Sequence, residues 1–311
     1  MKVIKDTLDF QIEEPSIISL GKFDGIHAGH HLLMDALADG KKQGLKSVVF
    51  TFSISPKMHF DHDLKMLTTD EEKMLLLEEA GADYVIECPF SEDIMHMQAV
   101  DFLKMLTEKI RVKEIVAGTD FHFGYQRKGD YRLLQQCADQ FGYRVRIFEK
   151  KQFEGADISS TRIRGLLTDG KIQKANELLG YEYFFYGKVV HGNELGRTIS
   201  APTANLLPSA DKLLPPFGVY AVHVRVDGRE YNGIANIGKK PTVKGHYPAG
   251  VETFIFDFHE DIYGQIIKVS LCEYIRPEQK FRSLEELKTQ MEKDIAACRK
   301  ILEPGEKTVY K

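Results

Sequence analysis

Gly21-Lys22-Phe23-Asp24-Gly25-Ile26-His27-Ala28-Gly29-His30 follows the apolar run Ile17-Ile18-Ser19-Leu20 and precedes an apolar-periodic segment that begins at Leu32. The order is strand, turn, helix, and it puts two histidines three residues apart at a helix start. The first N–H groups of a helix have no intrahelical partners, its dipole favours negative charge there, and glycine lets backbone come close to a ligand. Imidazoles donate hydrogen bonds to phosphate oxygens. The stretch therefore predicts a phosphate cradle built on His27 and His30 and lined by Gly21, Phe23, Asp24 and Gly29. Metal ligation with His31 and Asp24 nearby, or plain exposure at a helix start, are the competing readings.

Outward from this turn, strand and helix signals alternate. Apolar runs at Ile17–Leu20, Val48–Phe52, Tyr84–Ile86, Ile115–Ala117 and Val145–Phe148 read as buried strands. Helical patterns at Leu32–Ala38, Glu71–Glu79, Ala99–Ile110 and Tyr131–Gln140 lie between them. Such alternation predicts a parallel, doubly wound α/β sheet of Rossmann type, which binds ligands outside the carboxyl ends of its strands.

Two short helical segments follow, Ser160–Leu167 and Lys171–Leu179, with Gly180 as a stop. The grammar then changes. Tyr183–Val190, Val219–Val226, Tyr231–Ile237, Val251–Phe258 and Ile266–Tyr274 read as strands, and Asp227-Gly228 as a hairpin turn. Tyr220, Val222, Val224 and Val226 alternate with Ala221, His223 and Arg225, which predicts an antiparallel sheet with one wetter face, a small β-barrel. A C-terminal helix is expected over Leu284–Leu302, opened by a Ser283/Glu286 capping box, with a frayed tail beyond Glu303. The expected domains are 1–181 and 182–311.

The 311 residues carry 42 basic and 46 acidic side chains, a net charge of −4, so no basic footprint for nucleic acid exists and a polyanion must be caught locally. No apolar run approaches the ~20 residues of a membrane helix, and the first residues lack the apolar core of a secretory signal. Cys88, Cys137, Cys272 and Cys298 are scattered, without a CxxC pair or a zinc-like histidine spacing. Reduced structural thiols and a cytoplasmic location are expected. A monomer or weak homo-oligomer is expected, with no nucleic-acid or membrane partner.

Four further constellations carry chemistry. Ser159, Ser160 and Thr161 open a helix one turn before Arg164, a grouping suited to terminal nucleotide phosphates; N-capping with solvated arginines is the plainer reading. Val116–Gly124 follows a strand, and Gly118, Asp120 and Phe121 form either a wall for a nucleobase or flavin ring or a simple packed loop. Gly187–Thr198, which includes Gly192, Gly196 and Arg197, is a glycine-rich basic loop, and surface punctuation is its plainer reading. Pro202 then fixes a turn, after which Thr203 and Asn205 can offer oxygens to a magnesium ion carrying nucleotide phosphates. Glu252 opens a strand that also carries Phe254, Phe256 and Phe258. A carboxylate desolvated by such neighbours suits a general base, while a glutamate in water at a strand end is the alternative.

Taken together, GKFDGIHAGH, VAGTDFHFG, ISSTRIR, GRTISAPTAN, LLPPFGVYAV, GIANIGKKPT, VETFIFDFHEDIYG and IRPEQKF, in this order from about Ile17 to Leu302, resemble the bacterial bifunctional riboflavin kinase/FAD synthetase family. The HxGH element alone resembles the signature of the nucleotidylyltransferase superfamily. The resemblance implies two ATP-dependent steps: phosphorylation of riboflavin to FMN in the C-terminal domain, then adenylylation of FMN to FAD, with loss of pyrophosphate, in the N-terminal one. It implies Glu252 as the kinase base, Thr203 and Asn205 as holders of Mg2+ and phosphates, and the Gly192–Arg197 loop as a nucleotide cover. Arg276, in the last motif, joins the binding residues. Adenylylation falls to His27, His30, Ser160, Thr161 and Arg164, with Asp120 and Phe121 near flavin or adenosine. The chain departs from the family where Ser200-Ala201 replaces Gly-Phe before Pro202. It departs again where Ser53-Ile54-Ser55 replaces Asp-Pro-His before Pro56, and more mildly at Lys239-Lys240.

Overall fold

The computed structural model describes residues 1–53, 64–191, 203–239 and 249–303. It contains two compact units, Met1–Ser159 and Ser160–Lys311.

The first unit is a six-stranded sheet of β1 (Lys2–Lys5), β2 (Ile12–Leu20), β3 (Lys46–Phe52), β4 (Tyr84–Cys88), β5 (Ile110–Gly118) and β6 (Arg144–Phe148). The spatial order is β1-β4-β3-β2-β5-β6, and every neighbouring pair is parallel. From β2 the chain builds the sheet outward through β3 and β4, then returns to the other side of β2 with β5. That reversal opens a crevice at the carboxyl end of β2, where Gly21–His30 begins.

Strand alternation explains why helices cover both faces. Ile17 meets α1 (Ala28–Lys42), where Gly40 permits the approach: a Cβ there would lie 2.6 Å from Ile17 Cγ2. Its neighbour Ile18 enters the opposite core with Phe102, Leu103 and Leu106 of α4 (Ala99–Lys109). Ile17, Ile18, Val48, Val49, Val85, Ile86, Ile115 and Val116 are all fully buried, as strands covered on both faces require. Helix α2 (Asp70–Glu79) starts with a complete capping box between Thr69 and Glu72, and the five-residue α3 (Glu92–His96) is capped by Ser91. The helix expected over Tyr131–Gln140 is split at Cys137 into α5 (Tyr131–Gln136) and α6 (Ala138–Phe141).

Both edges of this sheet carry cations. Lys5 of β1 pairs with Glu87 at 3.0 Å, and Arg144 and Arg146 of β6 pair with Glu114 at 3.3 and 2.6 Å.

The second unit opens with α7 (Ser160–Thr168) and α8 (Ile172–Leu179). Strands β7 (Phe184–Lys188), β8 (Ala204–Leu206), β9 (Gly218–Val226), β10 (Arg229–Lys239), β11 (Ala249–Ile255) and β12 (Ile266–Pro277) follow. They pair antiparallel in the order β7-β12-β9-β10-β11-β8. An antiparallel bridge between Val190 and Asn205 links the two ends, so the sheet is nearly closed into a barrel. Asp227 and Gly228 both take positive φ, 46° and 75°, as a two-residue hairpin requires.

Tyr220, Val222, Val224 and Val226 of β9 are buried. On the opposite face Arg225 is exposed and His223 half-buried, but Ala221 is buried because Phe256 and α9 (Leu284–Leu302) cover it through Cys298 and Leu302. The face expected to be wet is thus wet only where the helix ends. Ser283 caps α9 by accepting from the Glu286 N–H, whereas the Glu286 carboxylate accepts from the Arg282 N–H, so the expected box is only half made.

The expected domain boundary at 181/182 differs from the unit boundary. Helix α8 is bound to the barrel: Asn176 Nδ2 donates to the Leu271 carbonyl and Gln173 Nε2 to Glu273. The tail beyond Glu303 lies outside the described residues.

Candidate active sites

The turn after β2 is wound tightly. Phe23, Gly25 and Ile26 take φ of 48°, 84° and 34°, a conformation that side-chain-bearing residues adopt only when their surroundings enforce it. Asp24 provides the enforcement. Its carboxylate is 5% exposed and accepts from the Leu67 and Thr68 N–H groups at 2.9 and 3.2 Å, while Thr68 Oγ1 accepts from the Gly25 N–H. Asp24, expected to line the cradle, also clamps its shape. Asp24→Ala is expected to lower unfolding stability by about 1–3 kcal/mol in urea titration, since two buried N–H groups lose their acceptor.

Ile26 hands the chain to His27, the N-cap of α1, which makes no side-chain cap hydrogen bond. The first turn of α1 holds no acidic residue, so no carboxylate of the helix itself neutralises the dipole there. The rings of His27 and His30 stack at 3.9 Å and 15°, with the Phe23 ring edge-on to His30 at 5.3 Å. Gly29 is what allows the stack, because a Cβ there would lie 3.2 Å from the His27 ring. Likewise a Cβ on Gly21 would lie 3.0 Å from the Phe23 ring. The Nδ1 atoms of both histidines are buried and lack a hydrogen-bond partner among the described residues. Two orphaned polar atoms side by side at a helix start are what a site for an acceptor-rich ligand looks like.

Burial first, and repulsion from His31 second, lower the pKa of His27 to about 4. Burial and the two neighbouring imidazoles hold His30 well below its ordinary value. Both rings are neutral near pH 7. An unfolded His27 binds its proton near pH 6.5 whereas the folded one waits until about pH 4, so stability present above pH 6.5 falls as the pH drops through that window. The change from His27 alone is roughly 3 kcal/mol. Urea midpoints at pH 7 and pH 4.5 are expected to show it, with a flatter dependence in His27→Gln.

At the end of β5, Asp120 lies over Gly118, where a Cβ would come 2.9 Å from its Oδ1. Its other oxygen is 3.4 Å from Lys150, a partner that the sequence reading did not include. Phe121 stacks on Phe123 at 5.4 Å and packs against the core, so part of the expected ring wall serves as packing.

In the second unit Ser160 is the first residue of α7, with Thr161 exposed and Ser160 and Arg164 half-buried. Ser159 directly precedes the helix. Ser160, Thr161 and Arg164 belong to the second compact unit, Ser159 and His27 to the first.

The barrel brings together Thr203, Asn205 and Glu252. Asn205 of β8 stands opposite Glu252 of β11, and Glu252 stands opposite Asn236 of β10. Thr203 Oγ1 donates to Glu252 Oε1 at 2.8 Å, and Asn205 Nδ2 donates to the Thr203 carbonyl at 3.2 Å. Glu252 is in the middle of its strand rather than at the start, and it is half-buried. Phe254 and Phe256 extend toward the α9 core. Arg276, expected among the nucleotide-binding residues, is held by Asp294 of α9 through Nε at 3.0 Å and Nη2 at 2.6 Å, a bidentate pair that ties helix to barrel. Asn236 was not legible as a neighbour of Glu252, because only strand register pairs them. Gly192, Gly196, Arg197, Ser200, Ala201, Pro202, Ile54, Ser55, Pro56 and Lys240 lie outside the described residues.

Known proteins match this arrangement along its length. The FAD synthetase family profile matches residues 9–162, and the riboflavin kinase profile residues 179–302. The bifunctional riboflavin kinase/FMN adenylyltransferase of Escherichia coli (strain K12) is 39% identical over 292 residues, 92% of this chain and 93% of that protein. The protein of the same description in Bacillus subtilis (strain 168) is 35% identical over 285 residues, 90% of each. A crystal structure from Streptococcus pneumoniae, described as a macrolide-efflux protein, superposes with a TM-score of 0.83 at 34% identity, covering 96% of this chain and 98% of that one. Among the described residues no helix is long and apolar enough to cross a membrane. Two family profiles in tandem, and relatives that share both, place the chain in the bifunctional riboflavin kinase/FMN adenylyltransferase family.

Proposed function

We propose that the chain makes FAD from riboflavin in two ATP-dependent steps, with the kinase chemistry centred on Glu252 and the adenylylation on His27 and His30. The activities are those of the family: riboflavin kinase and FMN adenylyltransferase. The observation that supports the division of residues is the pair of orphaned, stacked imidazoles at a helix start in the first unit.

In the kinase step the Glu252 carboxylate accepts the proton of the ribityl 5′-hydroxyl as that oxygen attacks the γ-phosphorus of ATP, and ADP leaves. Thr203, already bonded to Glu252, orients the base. Thr203 and Asn205 offer oxygen donors of the hard type that Mg2+ prefers, and Mg2+ bound with the nucleotide supplies charge neutralisation on its phosphates. In the second step a phosphate oxygen of FMN attacks the α-phosphorus of a second ATP and pyrophosphate leaves. His27 and His30 donate ring N–H hydrogen bonds to nucleotide phosphate oxygens. The helix start adds its dipole, so catalysis there rests on alignment and charge stabilisation rather than on a covalent intermediate. We assign Ser160, Thr161 and Arg164 to the same step as phosphate ligands. Four unpaired thiols support a reducing, cytoplasmic setting.

Incubation with riboflavin, ATP and Mg2+ and chromatography of the flavins tests the reading. FMN is expected first and FAD after it; absence of both from folded protein overturns it.

A further inference from the structure

Outside the flavin and nucleotide residues, one cluster in the second unit carries the donor types of a metal centre. Glu182, His223 and Cys272 converge so that one carboxylate oxygen, Nδ1 and Sγ all lie within 4.8 Å of one another. Nδ1 of His223 is 2.9 and 3.0 Å from the two oxygens of Glu182 and 3.3 Å from Cys272 Sγ. The Cys272 thiol donates to Glu182 Oε1 at 3.5 Å.

We infer that Glu182, His223 and Cys272 form a binding site for one borderline-soft divalent cation of the Zn2+ type on the outer wall of the barrel. Ligands about 2.0–2.3 Å from a tetrahedral zinc ion stand about 3.3–3.6 Å from one another. The separations here, 2.9, 3.3 and 3.5 Å, need shifts of only a few tenths of an ångström to meet that triangle. One nitrogen, one oxygen and one sulfur donor fit zinc and its soft neighbours and do not fit Mg2+, which demands oxygen ligands. Three protein ligands leave the fourth position to water. On binding, the thiol proton is released to solvent and the thiolate takes the metal, as coordination to a dication drives.

The backbone fixes all three donors. His223 is in β9. In the pairing of β9 with β12, Ala221 stands opposite Glu273 and Val222 opposite Leu271, so Cys272 is the extra residue of a bulge. Bulges re-aim side chains, and this one sets the thiol beside His223. Glu182 is positioned by a clasp next to it: Asn176 Oδ1 accepts from the Tyr183 N–H while its Nδ2 donates to the Leu271 carbonyl, and the Leu271 N–H donates to the Tyr183 carbonyl. The strand entry and the bulge are thereby locked to each other before any metal arrives. The histidine and glutamate side chains are 29% and 22% exposed, enough for an ion to enter.

The thiol makes the test specific. Cys88, Cys137 and Cys298 are buried within the cores, and Cys272 alone is half-buried. Full-length protein freed of metal by chelation and dialysis is titrated with Co2+, a spectroscopic stand-in for Zn2+. One Co2+ per chain with a thiolate-to-cobalt charge-transfer band is expected, and Zn2+ in equal amount should displace it. Cys272→Ser should remove the band, and His223→Ala should weaken Co2+ binding at least tenfold. Zn2+ at a hundredfold excess over its Kd is expected to raise the melting midpoint by roughly 5–10 °C in the unsubstituted protein only. Circular dichroism secures the fold of each variant; should Cys272→Ser not fold, Cys272→Ala gives the same reading. Absence of the band in unsubstituted protein, or its survival in Cys272→Ser, overturns the inference. Riboflavin phosphorylation is expected to be unaffected by Cys272→Ser.

Discussion

His30→Ala is expected to cut FAD formation by about 10²–10³-fold while riboflavin is still converted to FMN. The His30 ring is half-buried, edge-on to Phe23 and stacked on His27, and its buried Nδ1 finds no partner among the described residues. Removing the ring deletes the donor that the proposed function gives to the nucleotide and opens a cavity that costs up to about 2–3 kcal/mol of stability in the first unit. The two effects separate by measurement. His30→Gln, which returns a donor to the same volume, should recover part of the adenylylation rate if the donor matters, and none if packing alone was lost. FMN production by the same sample is the internal control, because the barrel has its own core. Loss of both activities from a folded His30→Ala chain would contradict the assignment of separate sites.

Glu252→Gln is expected to show the opposite pattern: FMN formation lowered by about 10²–10⁴-fold, the range of a lost general base, with FAD still made when FMN is supplied. The amide keeps the size of the carboxylate and can still accept from Thr203 Oγ1, so the strand and its register should persist. What it loses is the capacity to take a proton. A pure positioning role would instead raise KM for riboflavin and leave kcat largely intact. Initial rates of FMN formation over a range of riboflavin concentrations distinguish these outcomes.

The architecture was legible where it rests on local pattern. Ile17–Leu20 and Val48–Phe52 are unbroken apolar runs because parallel strands are buried on both faces, and the observed strands contain both. The antiparallel half showed itself through alternation in β9 and through Asp227-Gly228. Lys2–Lys5 was not legible as a strand, since two of its four residues are lysines and its pairing with β4 is made 82 residues away. Ala204–Leu206 was hidden because three residues carry no period.

Site residues divide in the same way. The placement of His27 and His30 at a helix start was legible from the strand before them. The clamp that Asp24 makes was not legible, because nothing in its neighbourhood reveals Leu67 and Thr68, more than 40 residues on, as its partners. The tie between Arg276 and Asp294 was hidden for the same reason: Asp294 is 18 residues later on a helix. The Glu182–His223–Cys272 group is the extreme case. Its members are 41 and 49 residues apart, so the spacing that argued against a zinc motif says nothing about a site assembled from three separate segments.

The cations at the borders of the parallel sheet have a consequence for how copies of the chain behave in a crowded solution. An open strand border is a template on which another molecule can add its own strand and begin to aggregate. Here one border is a four-residue strand bearing Lys2 and Lys5, and the other bears Arg144 and Arg146. A second copy offering either border meets positive charge with positive charge, and must break the ion pairs to Glu87 or Glu114 to come closer. The barrel, nearly joined end to end at Val190 and Asn205, leaves little border to template. One unit resists strand addition by electrostatic repulsion and the other by shape.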